Sequence, residues 1–476
     1  MSRELGAEML GVYQVAFSIF LVLVVIVASG LPLTISKQTA KYQVSKNQSA
    51  QYGVVCSALV IGLGVSIIIC IVFVVFQDFI ANMFTDSRSM QILLCLLPAV
   101  VFSAVYSAFR GSLWGTKNYF FVSLSEFVEQ VVRIVVFVLL INLILPEANK
   151  GIVAGASMTV GCFVSMALML VVYFAMGRRL AKPKGYYKEV IASALPITGV
   201  RTATSLIQPV IAVLFPFMLV LAGYTSEQAM SLYGIAMGMA LPLLFLPSTI
   251  VGAMSFTLIP DLSVSVAQKN NIAIGQKIRS NIFVATLISI LFVPFYIGAG
   301  KEICVFLYDN ALAGVYLCRS AIIMLPLGLS NITSSILNAL NLEVRSFVHN
   351  IIGGGVLIAC IVGLSWLMGV DALILGFGLC MTITTILNVV MIKRHVKMSL
   401  GMYKPLCLMG CFVVLSSLLC YFVCNVLCGA LGLFGGICIA GVCALGSFVL
   451  LCWVFRLVDV VSIVCSVLPK KFKKSA

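Results

Sequence analysis

The chain has 476 residues, of which 62% are hydrophobic and only 9% are charged. A water-soluble domain needs far more polar surface than this, so the composition excludes a soluble globular protein and predicts an integral membrane protein. The formal net charge of +15 does not indicate nucleic-acid binding, because the Lys and Arg residues of a membrane protein collect in cytoplasmic loops and set its topology.

Hydrophobic segments that are long enough to span a bilayer as helices recur along the whole chain. A membrane barrel would instead show short segments of alternating polarity, so we predict an all-α, polytopic helical bundle. There are about thirteen such segments, and several exceed the length of one crossing, which predicts tilt or kinks at Pro and Gly. They lie near residues 10–35, 53–77, 91–110, 119–144, 151–176, 190–222, 231–260, 280–299, 313–338, 347–369, 372–392, 405–428 and 433–458.

The basic residues predict the orientation of the bundle. Most of the 30 Lys and Arg residues fall in loops on one side, including the loops at 178–188 and 393–404. This bias predicts that those loops and the C-terminus are cytoplasmic. Thirteen crossings then place the N-terminus outside, and residues 1–10 resemble a loop that follows a helix. We expect a parent architecture of fourteen helices whose first helix is missing here, with a true thirteen-helix protein as the alternative.

An internal repeat predicts two lobes. At an offset of 228 residues, Pro32 matches Pro260 and Pro98 matches Pro326. The period is six helices, and an even period makes the two halves parallel repeats related by an axis along the membrane normal. We predict an N-terminal lobe at 1–177, a cytoplasmic linker at 178–189, a C-terminal lobe at 190–395, and two extra helices with a basic tail at 396–476.

Glu126, Glu129 and Arg133 lie together inside one hydrophobic segment. Their spacing places all three on one helical face, and it allows an ion pair between Glu129 and Arg133. Ionisable groups at membrane depth usually face the interior of a bundle or a hydrated cavity. Arg133 would then contact an anionic head group in a central cavity, with the carboxylates tuning it or binding a cation or proton. The alternative is a structural role, in which the three pair with each other and with a neighbouring helix.

Three further cations are candidates for substrate contacts. Arg201 begins a segment that Pro209 and Pro216 interrupt, as in the broken helices of transporters, and we expect it to line the central cavity; the alternative is an arginine that reaches to the membrane surface. Lys37 and Lys41 are expected to attract phosphate at the substrate entrance, or else to anchor the segment on its cytoplasmic side.

The sequence offers no catalytic or metal site. Most of the 17 cysteines lie in apolar stretches without interleaved His or carboxylate ligands, which favours packing over metal binding or a disulfide framework. His349 and His395 are isolated, and no nucleotide-binding or zinc-protease motif occurs. We therefore predict that the protein is not an enzyme and has no cofactor, with Na⁺ or H⁺ coupling left open.

Several short blocks of sequence within residues 1–395 have a characteristic order and spacing. Together they resemble the stage V sporulation protein B group, in the polysaccharide-transporter branch of the multidrug/oligosaccharidyl-lipid/polysaccharide (MOP) exporter superfamily. The blocks are Arg3–Glu8, Gly11–Gln14, Gly30–Lys37, Glu126–Arg133, Pro196–Arg201, Tyr233–Ser248 and Ile259–Ser263.

This resemblance implies a bacterial cytoplasmic-membrane flippase of the MATE/MOP fold. Its substrate would be a lipid-linked saccharide, a polysaccharide or peptidoglycan precursor, moved by alternating access among membrane lipids, with cell-wall synthesis proteins as further partners. Related murein lipid flippases carry functional arginines on the first helix and before the Pro-Ser of the eighth. We expect that helix to be missing here, and residues 236–242 contain nothing basic, so the murein-specific mechanism is not carried over.

Two other functions remain open at the level of sequence. One is a cation-coupled multidrug exporter of the same superfamily, in which Glu126 or Glu129 would bind Na⁺ or H⁺. The other is a non-transporting membrane scaffold that recruits cell-wall enzymes through its cytoplasmic loops.

Overall fold

The computed structural model describes residues 2–45, 47–143, 150–182, 185–268, 271–396, 403–455 and 457. Within these ranges the regular structure is helical, with no strand. Eleven helices or joined helices of this part of the chain are long and apolar enough to cross a membrane. The predicted polytopic helical bundle is therefore confirmed. The predicted basic tail after residue 457, and residues 183–184 of the predicted linker, lie outside the described residues.

Packing divides the chain into two compact units. Unit 1 comprises Met1–Gly238 and Ser365–Gly369, and unit 2 comprises Met239–Leu364 and Val370–Ala476. The two predicted lobes and their linker rest on the internal repeat and stay a prediction.

The helices of the first part of the chain are followed by a π-helical turn at Gly234–Ala240. They are α1 Ser2–Ala28, α2 Leu31–Val44, α3 Gln48–Val75, α4 Gln77–Ala81, α5 Arg88–Gly115, α6 Tyr119–Leu143, α7 Lys150–Ala175, α8 Tyr187–Ser205, α9 Ile207–Leu221 and α10 Ser226–Tyr233.

The second part of the chain contains nine further helices and a short 3₁₀ turn at Ala321–Ile323. They are α11 Leu241–Phe245, α12 Ser248–Ala267, α13 Asn271–Leu291, α14 Val293–Tyr308, α15 Ala311–Ser320, α16 Met324–Ala339, α17 Glu343–Met368, α18 Val370–His395 and α19 Tyr403–Val454.

Proline and glycine break two of the predicted segments. The first segment is longer than predicted and consists of α1 and α2, which meet at Ser29-Gly30 just ahead of Pro32. Pro32 lies in the first turn of α2, where its missing N–H leaves no helical hydrogen bond unmade. The segment predicted at 231–260 is likewise interrupted, by the π-helical turn and by Pro247 ahead of α12.

A single glycine separates the last two predicted segments. Gly432 has φ 77° and ψ 165° inside α19, a backbone conformation that residues with a Cβ avoid. The kink divides the 52-residue helix into two apolar halves, which correspond to the segments predicted at 405–428 and 433–458.

Small residues bring the helices of unit 1 into backbone contact. A Cβ on Gly111 of α5 would lie 2.8 Å from the backbone of Pro32, and one on Gly115 would lie 2.7 Å from the carbonyl oxygen of Ser36. α1 crosses α10 in the same way, because a Cβ on Gly11 would overlap the backbone of α10. Close approach through glycine is a common way to pack helices in membranes, where apolar side chains gain little by leaving lipid.

Arg178, which follows α7 in the chain, donates hydrogen bonds to side chains at the end of α5. Its Nη1 donates to Ser112 Oγ at 2.8 Å and its Nη2 to Thr116 Oγ1 at 2.5 Å. The guanidinium also lies over the ring of Tyr173, 5.6 Å from the centroid. Burial lowers the pKa of Arg178 from its ordinary value, so the three contacts compensate a charge that is partly removed from water.

His349 of α17 is not isolated, contrary to its appearance in the sequence. Its Nδ1 lies 2.8 Å from Oδ1 of Asn388, which is fully buried on α18. The amide nitrogen of Asn388 donates to Thr333 and Ser334 of α16, at 3.2 and 3.0 Å. Because the amide nitrogen of Asn388 donates to these two hydroxyls, its Oδ1 faces His349 and accepts a hydrogen bond from Nδ1. The network connects three helices of unit 2, α16, α17 and α18.

Candidate functional site

The α6 helix separates a polar face from an apolar one. Glu126, Glu129 and Arg133 follow each other at steps of three and four residues and therefore share one face. The opposite face presents exposed apolar side chains, the surface that hydrocarbon favours. These are Leu124, Phe127 and Val131.

Arg133 contacts neutral groups. Its Nη2 donates to the side-chain oxygen of Gln130, and its Nη1 lies 3.2 Å from the sulfur of Met158 on α7. The predicted ion pair between Glu129 and Arg133 is not formed; Glu129 Oε1 instead accepts from the thiol of Cys162 at 4.0 Å. Within the described ranges Arg133 thus has no carboxylate partner in a salt bridge, and its charge is available to an anionic ligand.

A cavity of about 760 Å³ opens beside Arg133, between α1, α6 and the start of α7. We call it the Arg133 cavity. Among the described residues that line it, Arg133 and Lys150 are cations and Glu4 is a carboxylate. Gln14 and Asn142 add amide donors and acceptors. Arginine and amide groups in a partly apolar cavity of this size suit a phosphate or carboxylate that carries a polar head.

A smaller cavity of about 230 Å³ lies beside α6 at Glu126 and Glu129, on the N-terminal side of Arg133. We call it the Glu126 cavity. Glu126 Oε1 accepts from Arg110 Nη1 and from the Tyr106 hydroxyl, both at 3.4 Å. Glu129 also lines the cavity, so two carboxylates face one arginine. This balance is negative and suits a small cation or a proton.

Arg110 is a site residue that the sequence analysis missed. It ends the hydrophobic segment predicted at 91–110, and in the structure it lies inside α5 with its side chain 25% exposed. Its guanidinium lies over the rings of Tyr106 and Trp114, 5.5 and 4.8 Å from their centroids. The spacing of Tyr106, Arg110 and Trp114 could have identified this residue. An arginine that lies four residues from an aromatic residue on each side stacks on both rings when the segment is helical.

The other predicted site residues lie outside both cavities. Arg201 is exposed on α8, and Lys37 is exposed on α2. Lys41 lies 3.6 Å from Glu189 with its side chain 68% exposed. The structure therefore does not bring Arg201, Lys37 or Lys41 into the lining around Arg133, and their substrate contacts stay predictions.

More than half of the chain, residues 1–266, matches the family of polysaccharide biosynthesis proteins. The chain belongs to this family. Stage V sporulation protein B of Bacillus subtilis (strain 168) is 26% identical over 364 residues, which cover 74% of this chain and 70% of that protein. Sporulation protein YkvU of the same organism is 20% identical over 298 residues, 60% of this chain and 64% of the relative.

Solved transporter structures share the fold of this polysaccharide biosynthesis family member. An inward-facing MATE family multidrug resistance transporter of the MOP superfamily superposes with a TM-score of 0.70 at 14% identity, covering 83% of this chain and 92% of the other. The lipid II flippase MurJ in an inward closed conformation gives a TM-score of 0.64 at 14% identity, covering 94% and 96%. The predicted resemblance to the stage V sporulation protein B group and to the MOP superfamily is confirmed.

Proposed function

We propose that this multi-pass membrane protein exports a lipid-linked saccharide across the bacterial cytoplasmic membrane by alternating access, with Arg133 contacting the anionic head group. The observation that carries the proposal is the Arg133 cavity, where a guanidinium without a salt bridge in the described residues lies beside amide groups within an apolar helical unit. Membership of the polysaccharide biosynthesis family supports a saccharide as the cargo.

The main physical obstacle to such transport is the loss of hydration of the polar head group. A sugar diphosphate cannot cross hydrocarbon, because removing its charges and hydroxyl groups from water is prohibitively unfavourable. The Arg133 cavity would replace part of that lost hydration with Arg133, Lys150 and the amides of Gln14 and Asn142. Since the guanidinium is held by neutral partners, no salt bridge within the described ranges needs to break when the anion binds.

The membrane potential would supply the driving force. An inside-negative potential favours outward movement of anions by about 2.3 kcal/mol per charge per 100 mV. A diphosphate head with two charges would therefore be exported without ATP, consistent with the absence of a nucleotide-binding motif in the sequence.

Reconstituted protein tests this function directly. Proteoliposomes would carry a fluorescent polyprenyl-diphosphate saccharide in one leaflet, and its arrival in the other leaflet would be measured with a membrane-impermeant quencher. We expect transport above that of protein-free liposomes, accelerated when the donor side is made negative with valinomycin and K⁺. Arg133→Ala is expected to abolish transport while its abundance in the membrane remains normal. Wild-type rates equal to those of protein-free liposomes at every potential would refute the function, and full activity of Arg133→Ala would refute the role of this residue.

The Glu126 cavity favours a second candidate, a cation-coupled multidrug exporter. Its two carboxylates against one arginine would hold Na⁺ or a proton, and a cationic drug would be the cargo. This hypothesis predicts that a Na⁺ or pH gradient drives efflux of a cationic dye and that Glu126→Gln stops it. The lipid-linked saccharide hypothesis predicts no dye efflux. A non-transporting scaffold for cell-wall synthesis proteins predicts that neither cargo moves.

A further inference from the structure

The α2 helix carries buried polar side chains that have no hydrogen-bond partner in the described part of the chain. Thr34 is 2% exposed and Gln38 is 5% exposed. The hydroxyl of Thr34 and both amide atoms of Gln38, Nε2 and Oε1, are buried and unpartnered. Natural proteins keep few such groups, and an unsatisfied amide is a specific structural feature that needs a reason.

The α8 helix covers one face of α2. At one end of the contact a Cβ on Gly30 would lie 2.5 Å from the carbonyl oxygen of Ala194. At the other end the hydroxyl of Tyr42 donates to Oε2 of Glu189 at 3.0 Å. The two helices are therefore antiparallel, and because the contacts are twelve residues apart on α2 but five apart on α8, the long side chains of Tyr42 and Glu189 bridge the second contact.

Thr34 and Gln38 lie between these two contacts. They follow Gly30 at steps of four residues, so they continue the same stripe of α2 toward Tyr42. The facing stretch of α8 contributes Val190 and Ala194, which are buried and have no polar side-chain atoms. These two residues offer Thr34 and Gln38 no polar side chain, and the hydroxyl of Thr198, also on α8, lies against Gly30 instead.

The cover packs through Val190 and Ala194 into a hydrophobic cluster with Leu31 and Ile35, and only the ion pair at its end is weak. Lys41 Nζ and Glu189 Oε1 are 3.6 Å apart, with side chains 68% and 36% exposed. An exposed pair of this kind contributes little to stability. The unpartnered atoms of Thr34 and Gln38 also favour the uncovered state, in which water or a ligand satisfies them.

We propose that Thr34 and Gln38 form a hydrogen-bonding subsite for the hydroxyl and acetamido groups of the substrate's sugar, which α8 covers in this structure. This inference rests on the proposed function and names the part of the substrate that α2 recognises. A hydroxyl and an amide supply both donors and acceptors without charge, which suits a neutral sugar. Lys37 and Lys41, exposed on the adjacent stripe of α2, would attract the phosphates at the entrance, before the head group reaches the Arg133 cavity.

The test compares two lipids on purified full-length protein. One probe is a polyprenyl diphosphate that carries an N-acetylated disaccharide, and the other is the same polyprenyl diphosphate without sugar. The quantity of interest is the ratio of their affinities, because the loss of a contact with the sugar weakens only the sugar-bearing lipid, whereas a general loss of binding weakens both. Gln38→Met removes the amide at nearly constant shape, and Thr34→Val removes the hydroxyl.

We expect Gln38→Met to lower the affinity ratio about tenfold and Thr34→Val to lower it about fivefold, as for the loss of one or two hydrogen bonds. The matched control is Thr39→Val. Thr39 is also buried and unpartnered, but it packs on α5, where a Cβ on Gly115 would lie 2.7 Å from its own Cβ. The control should leave the ratio unchanged. Thermal unfolding of the three variants should occur at or above the wild-type temperature, since each removes an unsatisfied group.

The outcomes separate this inference from the proposed function. If wild-type protein binds neither lipid, the proposed function fails and the subsite fails with it. If wild-type protein binds the sugar-bearing lipid but Gln38→Met and Thr34→Val leave the ratio unchanged, only the subsite is overturned. A ratio that falls equally in Thr39→Val also overturns it, because the effect would then belong to packing around α2.

Discussion

Replacing Arg133 by methionine removes its charge and keeps an unbranched side chain of similar length. A hydrogen bond to a charged group contributes about 1.5–3 kcal/mol. Arg133 is half-buried, so water screens part of its field and the lower end of that range applies. Affinity for a diphosphate-bearing lipid should therefore fall by about 10- to 30-fold in Arg133→Met, which corresponds to about 1.4–2 kcal/mol.

Lipid binding to purified protein as a function of salt concentration is the appropriate assay. The wild type should bind more weakly as NaCl is raised, because ions screen the attraction between the cavity and the phosphates. Arg133→Met should show both a lower affinity and a shallower dependence on salt. Arg345→Met is the matched control, since Arg345 is exposed near the start of α17 and lines neither cavity on α6.

The stability of Arg133→Met distinguishes a binding role from a structural one. Arg133 contacts Gln130 and Met158, not a carboxylate, so its removal leaves no buried charge unpaired and relieves a partly desolvated cation. We expect thermal unfolding in detergent at or above the wild-type temperature. A destabilised variant that binds the lipid with wild-type affinity and salt dependence would refute this reasoning and support the structural alternative.

Three further substitutions test the surrounding structure by thermal unfolding in detergent. Glu126→Gln removes the charge of a side chain that is 51% exposed, so the free energy of unfolding should change by less than about 1 kcal/mol. A larger loss would show that Glu126 and Arg110 form a tightly coupled ion pair. Gly11→Ala forces α1 away from α10 and should reduce stability by about 1–3 kcal/mol, whereas Gly64→Ala, with open space around it, should not. Arg178→Met removes two hydrogen bonds and should reduce stability by about 1.5–3 kcal/mol, while a similar loss in exposed Arg179→Met would contradict that account.

Hydropathy and residue chemistry were sufficient to predict the class of fold and some of its breaks, but Pro216, which was expected to interrupt a segment, lies inside the continuous helix α9. The apolar segments had to become helices, because the backbone groups of a membrane span must bond within the span. Gly30 and Pro32 mark the break between α1 and α2, and Gly432 marks the kink in α19. The length of the first segment was underestimated, since its last turns carry polar residues that hydropathy does not count.

The candidate site was predicted only in part, for two physical reasons. Spacing showed that Glu126, Glu129 and Arg133 share a face, but it cannot choose a rotamer, and Gln130 and Met158 compete with Glu129 for the guanidinium. The rest of the Arg133 cavity comes from distant parts of the chain. Glu4 and Lys150 join it only through the packing of α1 and α7 on α6, which no local pattern encodes.

The position of the two cavities along one helix makes the anion and cation hypotheses compatible. Glu126 and Arg133 are seven residues apart on α6, which is about 10.5 Å along the helix axis. At an effective dielectric constant near 20, opposite charges at that separation attract by about 1.6 kcal/mol. A cation bound beside Glu126 would therefore raise the affinity of the Arg133 cavity for an anion by roughly tenfold, and the anion would raise the cation's affinity by the same factor. Each cavity thus strengthens the other's ligand without sharing it, so a cation requirement would be a property of saccharide export and not evidence against it.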